Sequence, residues 1–297
     1  MSFLAKRVSG IVPAPQFYIF HAPPGVGKTT FASQFANPLF VDLENGTKQL
    51  DVQRLTGDEI KTFEDILTLV DELITTTTDY KTFVVDSATA LEALIHKHVC
   101  GTQFKSIEDV GGGFGKGYQA AKEDLSKLLE KLKVLAKKMD VIIIAHSLVK
   151  TFTDPITNAS YDRYVLQMNQ KCADLLLSAA DNVFFIKYEI DVLEANGKKS
   201  HMKSTGERIL CTEWRASFDA KNRLNLPAEL PLDYKSFKDA VEKYKPKSCA
   251  ELKEDIRQLS QKLDAKTLTL VSEKVKEAGN NQLELQRIKS KLLKVAA

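Results

Sequence analysis

The sequence predicts an α/β fold built around a mostly parallel central sheet that is flanked by helices. Six short apolar runs, rich in β-branched and aromatic residues, recur along the chain, and most segments between them are long enough for crossover helices. Nearly continuous apolar runs are typical of strands that are buried on both faces, as in a parallel sheet. With 297 residues and 43% apolar side chains, the chain can bury one large core and a small appendage.

Strand and helix patterns alternate along most of the chain, which supports the α/β class. The predicted strands are FYIF, PLFVD, KTFVVD, VIIIAH, NVFFIKYE and RILCTE. The clearest helix is YQAAKEDLSKLLEKLKVLAKKM, whose leucines share one face at three- and four-residue spacing: Leu125, Leu128, Leu129, Leu132 and Leu135. After the fifth strand, Asn196-Gly197 is a turn signal, so we expect antiparallel pairs at one edge of the sheet.

The composition changes near Lys243, where KYKPKS resembles a linker. Apolar residues then recur at helical spacing, first at Leu252, Ile256, Leu259 and Leu263 and again at Leu283, Ile288 and Leu292. We therefore expect a core over residues 1–242 and a small helical tail over residues 243–297. The tail carries 13 Lys and Arg against 7 Asp and Glu. This basic surface can attract nucleic acid, although a Lys-rich helical surface is more often only a solvated face.

Targeting and cysteine patterns favour a cytoplasmic protein with no membrane partner. No apolar run approaches the roughly 18 residues that span a bilayer, and Pro13 and Pro15 interrupt the amino-terminal segment before a signal-type core can form. The cysteines form no CxxC pair and no zinc-finger spacing, so reduced, buried thiols are expected at Cys100, Cys172, Cys211 and Cys249.

A glycine-rich loop lies between the first predicted strand and a helix-like run. Its sequence, APPGVGKT, fits the Walker A pattern except that Ala22 stands where the first glycine is usual. In such a loop backbone amides surround the β-phosphate, Lys28 reaches the β- and γ-phosphates, and Thr29 presents a hydroxyl to Mg²⁺. The flanking strand and helix patterns predict a nucleotide site formed by Pro24, Gly25, Val26, Gly27, Lys28, Thr29 and Thr30.

A Mg²⁺-nucleotide site also needs a carboxylate at the end of a neighbouring strand, and KTFVVDS supplies Asp86. Ser87 follows it, whereas many P-loop motors have a glutamate there to activate water. Another strand end, in PLFVDLENG, offers Glu44, which can orient water beside the γ-phosphate. The alternative is that Glu44 is only an acidic turn residue.

Together these segments resemble the RecA-like branch of P-loop ATPases. FVDLENG resembles the RecA segment that carries the catalytic glutamate, FVVDSATALE resembles its Asp-Ser Walker B, and VIIIAHS takes the place of the strand that ends in a γ-phosphate sensor. The resemblance is closer to phage-encoded RecA-like ATPases that promote single-strand annealing and recombination, through NPLFVDLENGTK, GGGFGKGY and AKNRLNLP. It covers about residues 15 to 235 and leaves out the tail.

The resemblance implies a RecA-like P-loop NTPase core that uses ATP and Mg²⁺, in the host cytoplasm if the chain is phage-encoded. Glu44 matches the catalytic base, and His146 matches the sensor, where RecA itself has glutamine. A lone strand-end histidine can also be structural. Lys221 and Arg223 resemble the Lys-x-Arg pair with which ring helicases and RecA-like filaments touch a neighbouring subunit's nucleotide, and ordinary surface charges are the alternative.

Two further segments lie where RecA-like proteins have DNA-binding loops. EDVGGGFGKGYQ precedes the long helix and offers Lys116 and Tyr118 for charge and stacking. The segment after His146 takes the place of the second loop and interleaves basic and aromatic side chains at Lys150, Phe152, Tyr161, Arg163 and Tyr164. By composition alone this segment is an ordinary long loop, whereas the resemblance implies contact with single-stranded DNA.

The favoured function is a single-stranded-DNA-dependent ATPase that works as an oligomer in annealing or homologous recombination. A small-molecule kinase shares the P-loop but needs an Arg-rich lid, which the sequence does not offer. The other alternative is an ATP-switched accessory of DNA replication, of helicase or helicase-loader type. The short segment of about 15 residues before the first strand favours a recombination ATPase over a ring helicase. Expected partners are single-stranded DNA, further copies of the chain in a ring or filament, and a single-strand-binding protein.

Overall fold

The computed structural model describes residues 14–193, 201–244, 247–260 and 265–296. Contacts divide the chain into two compact units, of which the larger spans Ala14–Tyr244 and the smaller contains the helices that follow residue 248. The larger unit ends at Tyr244, the last residue of a helix.

The larger unit is built on one sheet. Its strands are β1 Phe17–Ala22, β2 Pro38–Asp42, β3 Gln53–Thr56, β4 Thr82–Asp86, β5 Asp140–Thr153, β6 Ser160–Leu166, β7 Asn182–Leu193, β8 His201–Cys211 and β9 Glu229–Pro231. Six strands run parallel in the spatial order β3-β2-β4-β5-β1-β7. β8 and β9 extend the sheet antiparallel, and β6 pairs with the outer part of β5. The predicted mostly parallel sheet with an antiparallel edge is confirmed, while Asn196-Gly197 lies outside the described residues.

Helices cover both faces of this sheet. They are α1 Lys28–Ala32, α2 Phe63–Thr75, α3 Ala88–Cys100, α4 Lys116–Leu135, α5 Gln170–Ala179 and α6 Tyr234–Tyr244. The predicted long helix is confirmed as α4, and the leucines of its predicted apolar face are buried. Among the described helices, none is both long enough and apolar enough to cross a membrane.

The smaller unit contains α7 Cys249–Ser260, α8 Ala265–Ala278 and α9 Gln282–Ala296. Leu252 and Ile256 of α7 pack against Leu285 and Leu292 of α9 in a core of their own. The expectation of C-terminal helices is therefore confirmed, although Leu263 lies outside the described residues.

Side chains of the central strands alternate between two cores, one on each face of the sheet. On β1, Phe17 and Ile19 belong to the core that contains side chains of α2 to α5. Tyr18 and Phe20 belong to the other core, with side chains of α1 and α6. Burial on both faces explains why the strands read as continuous apolar runs, and it leaves the strand ends as the positions for polar side chains.

β1 marks the topological switch point of the sheet, because β2 to β5 lie on one side of it and β7 lies on the other. Parallel α/β sheets bind ligands at the carboxyl ends of their strands at such a point. The register pairs Asp42 with Asp86 and Ala22 with His146. The sheet therefore brings the glycine loop, two carboxylates and His146 to the same edge.

Candidate nucleotide-binding and catalytic site

The glycine loop leaves β1 at Ala22 and enters α1 at Lys28. Gly25 and Gly27 have φ angles of 81° and 101°, in the left-handed region that glycine adopts without steric cost. Lys28 is buried, and its Nζ donates to the carbonyls of Ala22 at 3.1 Å and Pro23 at 3.0 Å. Burial lowers the pKa of Lys28, against the raising effect of Asp86 and Glu44. The lysine is therefore held inside the loop by the loop's own carbonyls.

The other loop residues differ in exposure, since some lie on the solvent-exposed rim of the loop and one is buried in the core beneath it. Pro24, Gly25 and Thr30 are exposed at the rim, where they are accessible to a ligand. Val26 is buried against the apolar face that contains Phe20 and Phe31. The side chain of Val26 therefore anchors the loop, and only its backbone is available for phosphate.

Thr29 and Asp86, the two predicted Mg²⁺ ligands, are in direct contact. Thr29 Oγ1 donates to Asp86 Oδ2 at 2.7 Å. Burial raises the pKa of Asp86, and the negative charges of Glu44 and Asp42 raise it further, against the hydrogen bond from Thr29. A divalent cation would relieve this repulsion. Mg²⁺ takes few protein ligands beside phosphate oxygens and water, so one hydroxyl and one carboxylate fit it. Across the described residues, no cluster of three or more His, Cys, Asp or Glu offers another metal site.

Glu44 is held by a turn that Asp42 closes at the end of β2. The Asp42 carboxylate accepts from the amides of Gly46 and Thr47, each at 2.9 Å, and from Thr47 Oγ1 at 2.5 Å. Asn45 takes a left-handed φ of 57° in the same turn. These bonds fix the direction of the chain, so that Glu44 is presented towards β4 and β5.

The Glu44 carboxylate joins the ends of two other strands. Its Oε1 accepts from Ser87 Oγ, and its Oε2 lies 3.0 Å from His146 Nε2. Burial alone raises the pKa of Glu44, but the hydrogen bonds from Ser87 and His146 outweigh it and lower the pKa, so the ionised form is favoured. Because a carboxylate only accepts, Nε2 carries the proton in this contact. The buried Nδ1 of His146 has no hydrogen-bond partner among the described residues.

Ser87 is a site residue whose role the sequence analysis did not predict. Its hydroxyl both binds Glu44 and accepts from the amide of Ala90 as the cap of α3. The capping role is local and follows the Ser-Ala-Thr-Ala pattern at the start of a helix. The contact with Glu44 spans 43 positions in the chain, so only the strand register reveals it.

Lys221 and Arg223 lie away from the loop of the same chain. Lys221 forms a β-bridge with Val183 at the beginning of β7, whereas the glycine loop follows the opposite end of the parallel strand β1. Lys221 Nζ donates to the carbonyl of Ala180 at 2.6 Å, at the end of α5. Arg223 Nη1 donates to Asp181 Oδ1 at 2.6 Å. Within one chain, both cations therefore bind groups just before β7, and neither lies at the nucleotide site.

The predicted first DNA loop is folded onto itself. Lys116 Nζ donates to the carbonyl of Gly111 at 2.9 Å, and the Tyr118 hydroxyl donates to Glu108 Oε1 at 3.4 Å. Both side chains stand in the first turn of α4 and stabilise the loop. Its projecting residue is Phe114, which is fully exposed with a left-handed φ of 56°. Phe114 is part of the GGGFGKGY motif, but it was not among the predicted DNA-contact residues.

The segment expected to be the second DNA loop is a β-hairpin, because β5 continues past His146 and pairs with β6. The Asp154 carboxylate closes the turn by accepting from the amide of Ile156 at 2.8 Å. Cross-strand pairing places four of the five predicted residues on one face, which we call the ribbon face: Lys150, Phe152, Tyr161 and Arg163. The fifth, Tyr164, lies on the opposite face.

The ribbon face combines aromatic and cationic groups. The Arg163 guanidinium lies 5.4 Å from the centroid of the Phe152 ring and donates to Asp219 Oδ1 at 2.6 Å. Lys150 is exposed, and the rings of Phe152 and Tyr161 are half-buried. His146 is an even number of positions before Lys150 and Phe152, so all three point to the same side of β5.

We predict that the two strand-end aspartates affect the stability of the nucleotide-free protein with opposite signs. For Asp42, burial is outweighed by hydrogen bonds from Thr47 and Gly46, which lower its pKa. Its charge therefore stabilises the fold above the ordinary pKa of aspartate, and this stabilisation is lost as the pH falls through the lowered value. Asp42→Asn should lower the free energy of unfolding near pH 7 by about 1–3 kcal/mol.

For Asp86 the sign is reversed, because burial raises its pKa. Stability is then lost as the pH rises through the raised pKa, and Asp86→Asn should increase the free energy of unfolding near pH 7. Urea denaturation without nucleotide or Mg²⁺ measures both variants, with the exposed Asp51→Asn as the control. The effect of Asp86→Asn should vanish below the ordinary pKa of aspartate, and that of Asp42→Asn only below the lowered pKa of Asp42. A destabilised Asp86→Asn protein near pH 7 would contradict the assignment of a repelled, buried carboxylate.

Comparison with known proteins places this site in a family. A comparison with curated proteins returned no match. Among solved structures, the crystal structure of the RadB recombinase is similar with a TM-score of 0.35 and 16% sequence identity, over 67% of this chain and 80% of that chain. A family model described as an AAA domain matches residues 14–224, which include the glycine loop, Glu44, Asp86 and His146. Because this match covers more than half of the 297 residues, the chain belongs to the AAA-domain family.

Proposed function

We propose that this AAA-domain protein is a single-stranded-DNA-dependent ATPase that acts as an oligomer in annealing or homologous recombination. The observation that carries the proposal is the contact between Glu44 and His146. His146 stands on β5, and the same strand continues into the ribbon face. One strand thus links a carboxylate suited to activating water with a surface suited to unpaired bases.

The chain's own groups account for nucleotide binding. Lys28 exchanges the carbonyls of Ala22 and Pro23 for phosphate oxygens, while the loop amides bind the β-phosphate. Thr29 and Asp86 would hold Mg²⁺, which would neutralise negative charge on the phosphates. Because the negative charges of Glu44 and Asp42 raise the pKa of Asp86, a cation bound by Asp86 would also reduce this repulsion.

Hydrolysis follows from the state of Glu44. Its hydrogen bonds keep the carboxylate ionised, so Oε2 can accept the proton of a water that attacks the γ-phosphorus as the bond to the bridging oxygen breaks. In the structure, Oε2 contacts His146 Nε2 at 3.0 Å. A γ-phosphate offers His146 a competing acceptor, which releases Glu44 for the water. The hydrogen bond of His146 would then move from Glu44 to the γ-phosphate, and this one change would both sense the phosphate and free the base.

The DNA-binding part of the proposal rests on the ribbon face and on Phe114. Lys150 is positioned to contact a backbone phosphate, and Phe152 and Tyr161 are cross-strand neighbours whose rings can stack on bases. Phe114 adds an exposed ring on a loop in which neighbouring glycines take left-handed conformations. Movement of His146 on γ-phosphate loss would be transmitted along β5 to the ribbon face.

We predict that Glu44→Gln abolishes turnover and preserves nucleotide binding. The amide keeps its size and its contact with Ser87 but cannot take a proton, so kcat should fall by at least about 100-fold. The Kd for ATP should change less than about twofold, within the error of affinity measurements. Steady-state hydrolysis and equilibrium binding measure the two effects, and the exposed Glu72→Gln on α2 is the control.

The same variant separates the proposal from its alternative. A switched replication accessory that does not depend on hydrolysis would keep its function in Glu44→Gln. Undiminished turnover in this variant would exclude Glu44 as the base, and transfer of labelled phosphate to a metabolite would indicate a kinase instead.

We predict that Phe114→Ala and Lys150→Met weaken binding of oligo(dT) in the presence of ATP. Loss of one stacked base should cost about 1–3 kcal/mol in Phe114→Ala. Lys150→Met should reduce the salt dependence of log K by about 0.7, the contribution of one phosphate contact on a single strand. The controls are Val134→Ala and Lys133→Met on α4, and unchanged affinity in both test variants would remove these residues from the DNA surface.

We predict that Arg223 acts on the nucleotide of a neighbouring subunit. Arg223→Ala should bind ATP normally, lose DNA-stimulated turnover, and regain part of it when mixed with Lys28→Ala subunits, which lack their own lysine but still offer Arg223. Asp181→Asn is the matched control, because it breaks the same ion pair and leaves the arginine in place. No recovery in the mixture, or an equal loss in Asp181→Asn, would contradict a contribution in trans.

A further inference from the structure

A second ribbon, formed by β7 and β8, lies against the outside of the glycine loop. Ile186 and Leu210 are cross-strand partners on this ribbon and are buried in the core that also contains Val26. Two positions further along the same face, the register pairs Tyr188 with Arg208. Because side chains two positions apart share a face, this next pair extends from the core over the loop.

Both side chains of this pair contact the loop backbone. The Tyr188 hydroxyl donates to the carbonyl of Gly25 at 3.3 Å, and Arg208 Nη1 donates to the carbonyl of Val26 at 3.2 Å. A Cβ atom on Gly27 would meet Arg208 Nη1, the movable end of a long side chain. The left-handed φ is therefore the main requirement for glycine at this position, and the missing side chain also leaves the guanidinium room where it lies.

These contacts fix the direction of the amides that follow. In a trans peptide unit the carbonyl and the next amide point in opposite directions. The carbonyl of Gly25 shares its unit with the amide of Val26, and the carbonyl of Val26 shares its unit with the amide of Gly27. Holding the two carbonyls on the outside of the loop therefore directs these two amides to the other side, where phosphate is expected.

The loop carbonyls are divided between two sets of donors. Lys28 occupies those of Ala22 and Pro23, and it must release them to reach a phosphate. The contacts from Tyr188 and Arg208 are on other carbonyls, so they persist after that release. The hydrogen bonds from Tyr188 and Arg208 can therefore hold the loop backbone in the same conformation when Lys28 turns from the carbonyls to a phosphate.

We propose that Tyr188 and Arg208 are positioning residues that hold the glycine loop in the form that binds the phosphate chain of a nucleoside di- or triphosphate. The inference rests on the proposed nucleotide binding. It adds a contribution from the antiparallel edge of the sheet, which carries no part of the Walker motifs. Arg208 acts through the loop backbone, so it should affect affinity and not the chemical step.

The test uses the full chain, with fluorescent methylanthraniloyl-ADP as the binding probe and ATP turnover as the second readout. Arg208→Met should weaken the Kd of the probe by about tenfold, the effect of one charge-assisted hydrogen bond. Arg208→Lys should recover part of this loss, because it restores the charge and one donor. Tyr188→Phe should weaken binding by about twofold to fivefold, as expected for one neutral hydrogen bond. At saturating ATP, kcat should stay within about twofold of the wild-type value, since only affinity is affected.

The matched control is Lys187→Met, which removes a positive charge from the adjacent position on the opposite face, where Lys187 pairs with Glu229. It should bind the probe like the wild type. Thermal melting identifies any unfolded variant, and Tyr188→Phe, which removes only a hydroxyl, then decides the question. Wild-type affinity in both Arg208→Met and Tyr188→Phe would overturn the inference and leave the proposed function standing. A loss of kcat at unchanged Kd would overturn it too, by placing Arg208 at the transition state. Failure of the wild type to bind the probe would overturn both proposals.

Discussion

Burial of the central parallel strands on both faces is the constraint on which the rest of the structure depends. Strands such as β1 and β4 are buried along their whole length and are mostly apolar, so most polar side chains of the central strands lie at the strand ends. Because the strands are parallel and in register, all these ends lie at one edge. Asp42, Asp86 and His146 are therefore neighbours as a result of sheet geometry, although they are far apart in the chain. The glycine loop shares this edge because it follows β1.

This arrangement brings the carboxylates of Asp42, Glu44 and Asp86 close together, so their mutual repulsion must be offset by hydrogen bonds or by a bound cation. Asp42 is stabilised by backbone amides and a hydroxyl, which fix the turn that carries Glu44. Glu44 is stabilised by Ser87 and His146. For Asp86 the hydroxyl of Thr29 and the charge of Lys28 do not outweigh burial and two nearby carboxylates, and its pKa is raised. The carboxylate that the protein leaves least stabilised is the one predicted to bind a cation.

The fold and the centre of the site were largely predictable, because their signals are local. The apolar runs, the loop and the leucine face of α4 each depend on residues close in sequence, and each corresponds to an element of the structure. The contacts of Ser87 with Glu44 and of Arg208 with Val26 depend on strand register over long separations, which periodicity does not encode. The hairpin after His146 was missed because its basic and aromatic residues suited a DNA-binding loop equally well. Phe114 was passed over because a single aromatic residue among glycines shows its exposure only in the folded loop.

The two cations at the start of β7 differ in how easily they can serve a neighbouring subunit. Arg223 is 61% exposed and is held by one ion pair with Asp181. Exposed pairs of this kind contribute only about 0–1 kcal/mol, so a phosphate from a neighbour can displace the aspartate at little cost. Lys221 instead caps the carbonyl of Ala180 at the end of α5. Moving it would leave that carbonyl without its donor at the negative end of a helix. Of the pair, Arg223 is the cation suited to reach a second subunit, while Lys221 is suited to fix the segment that carries Arg223 against the start of β7.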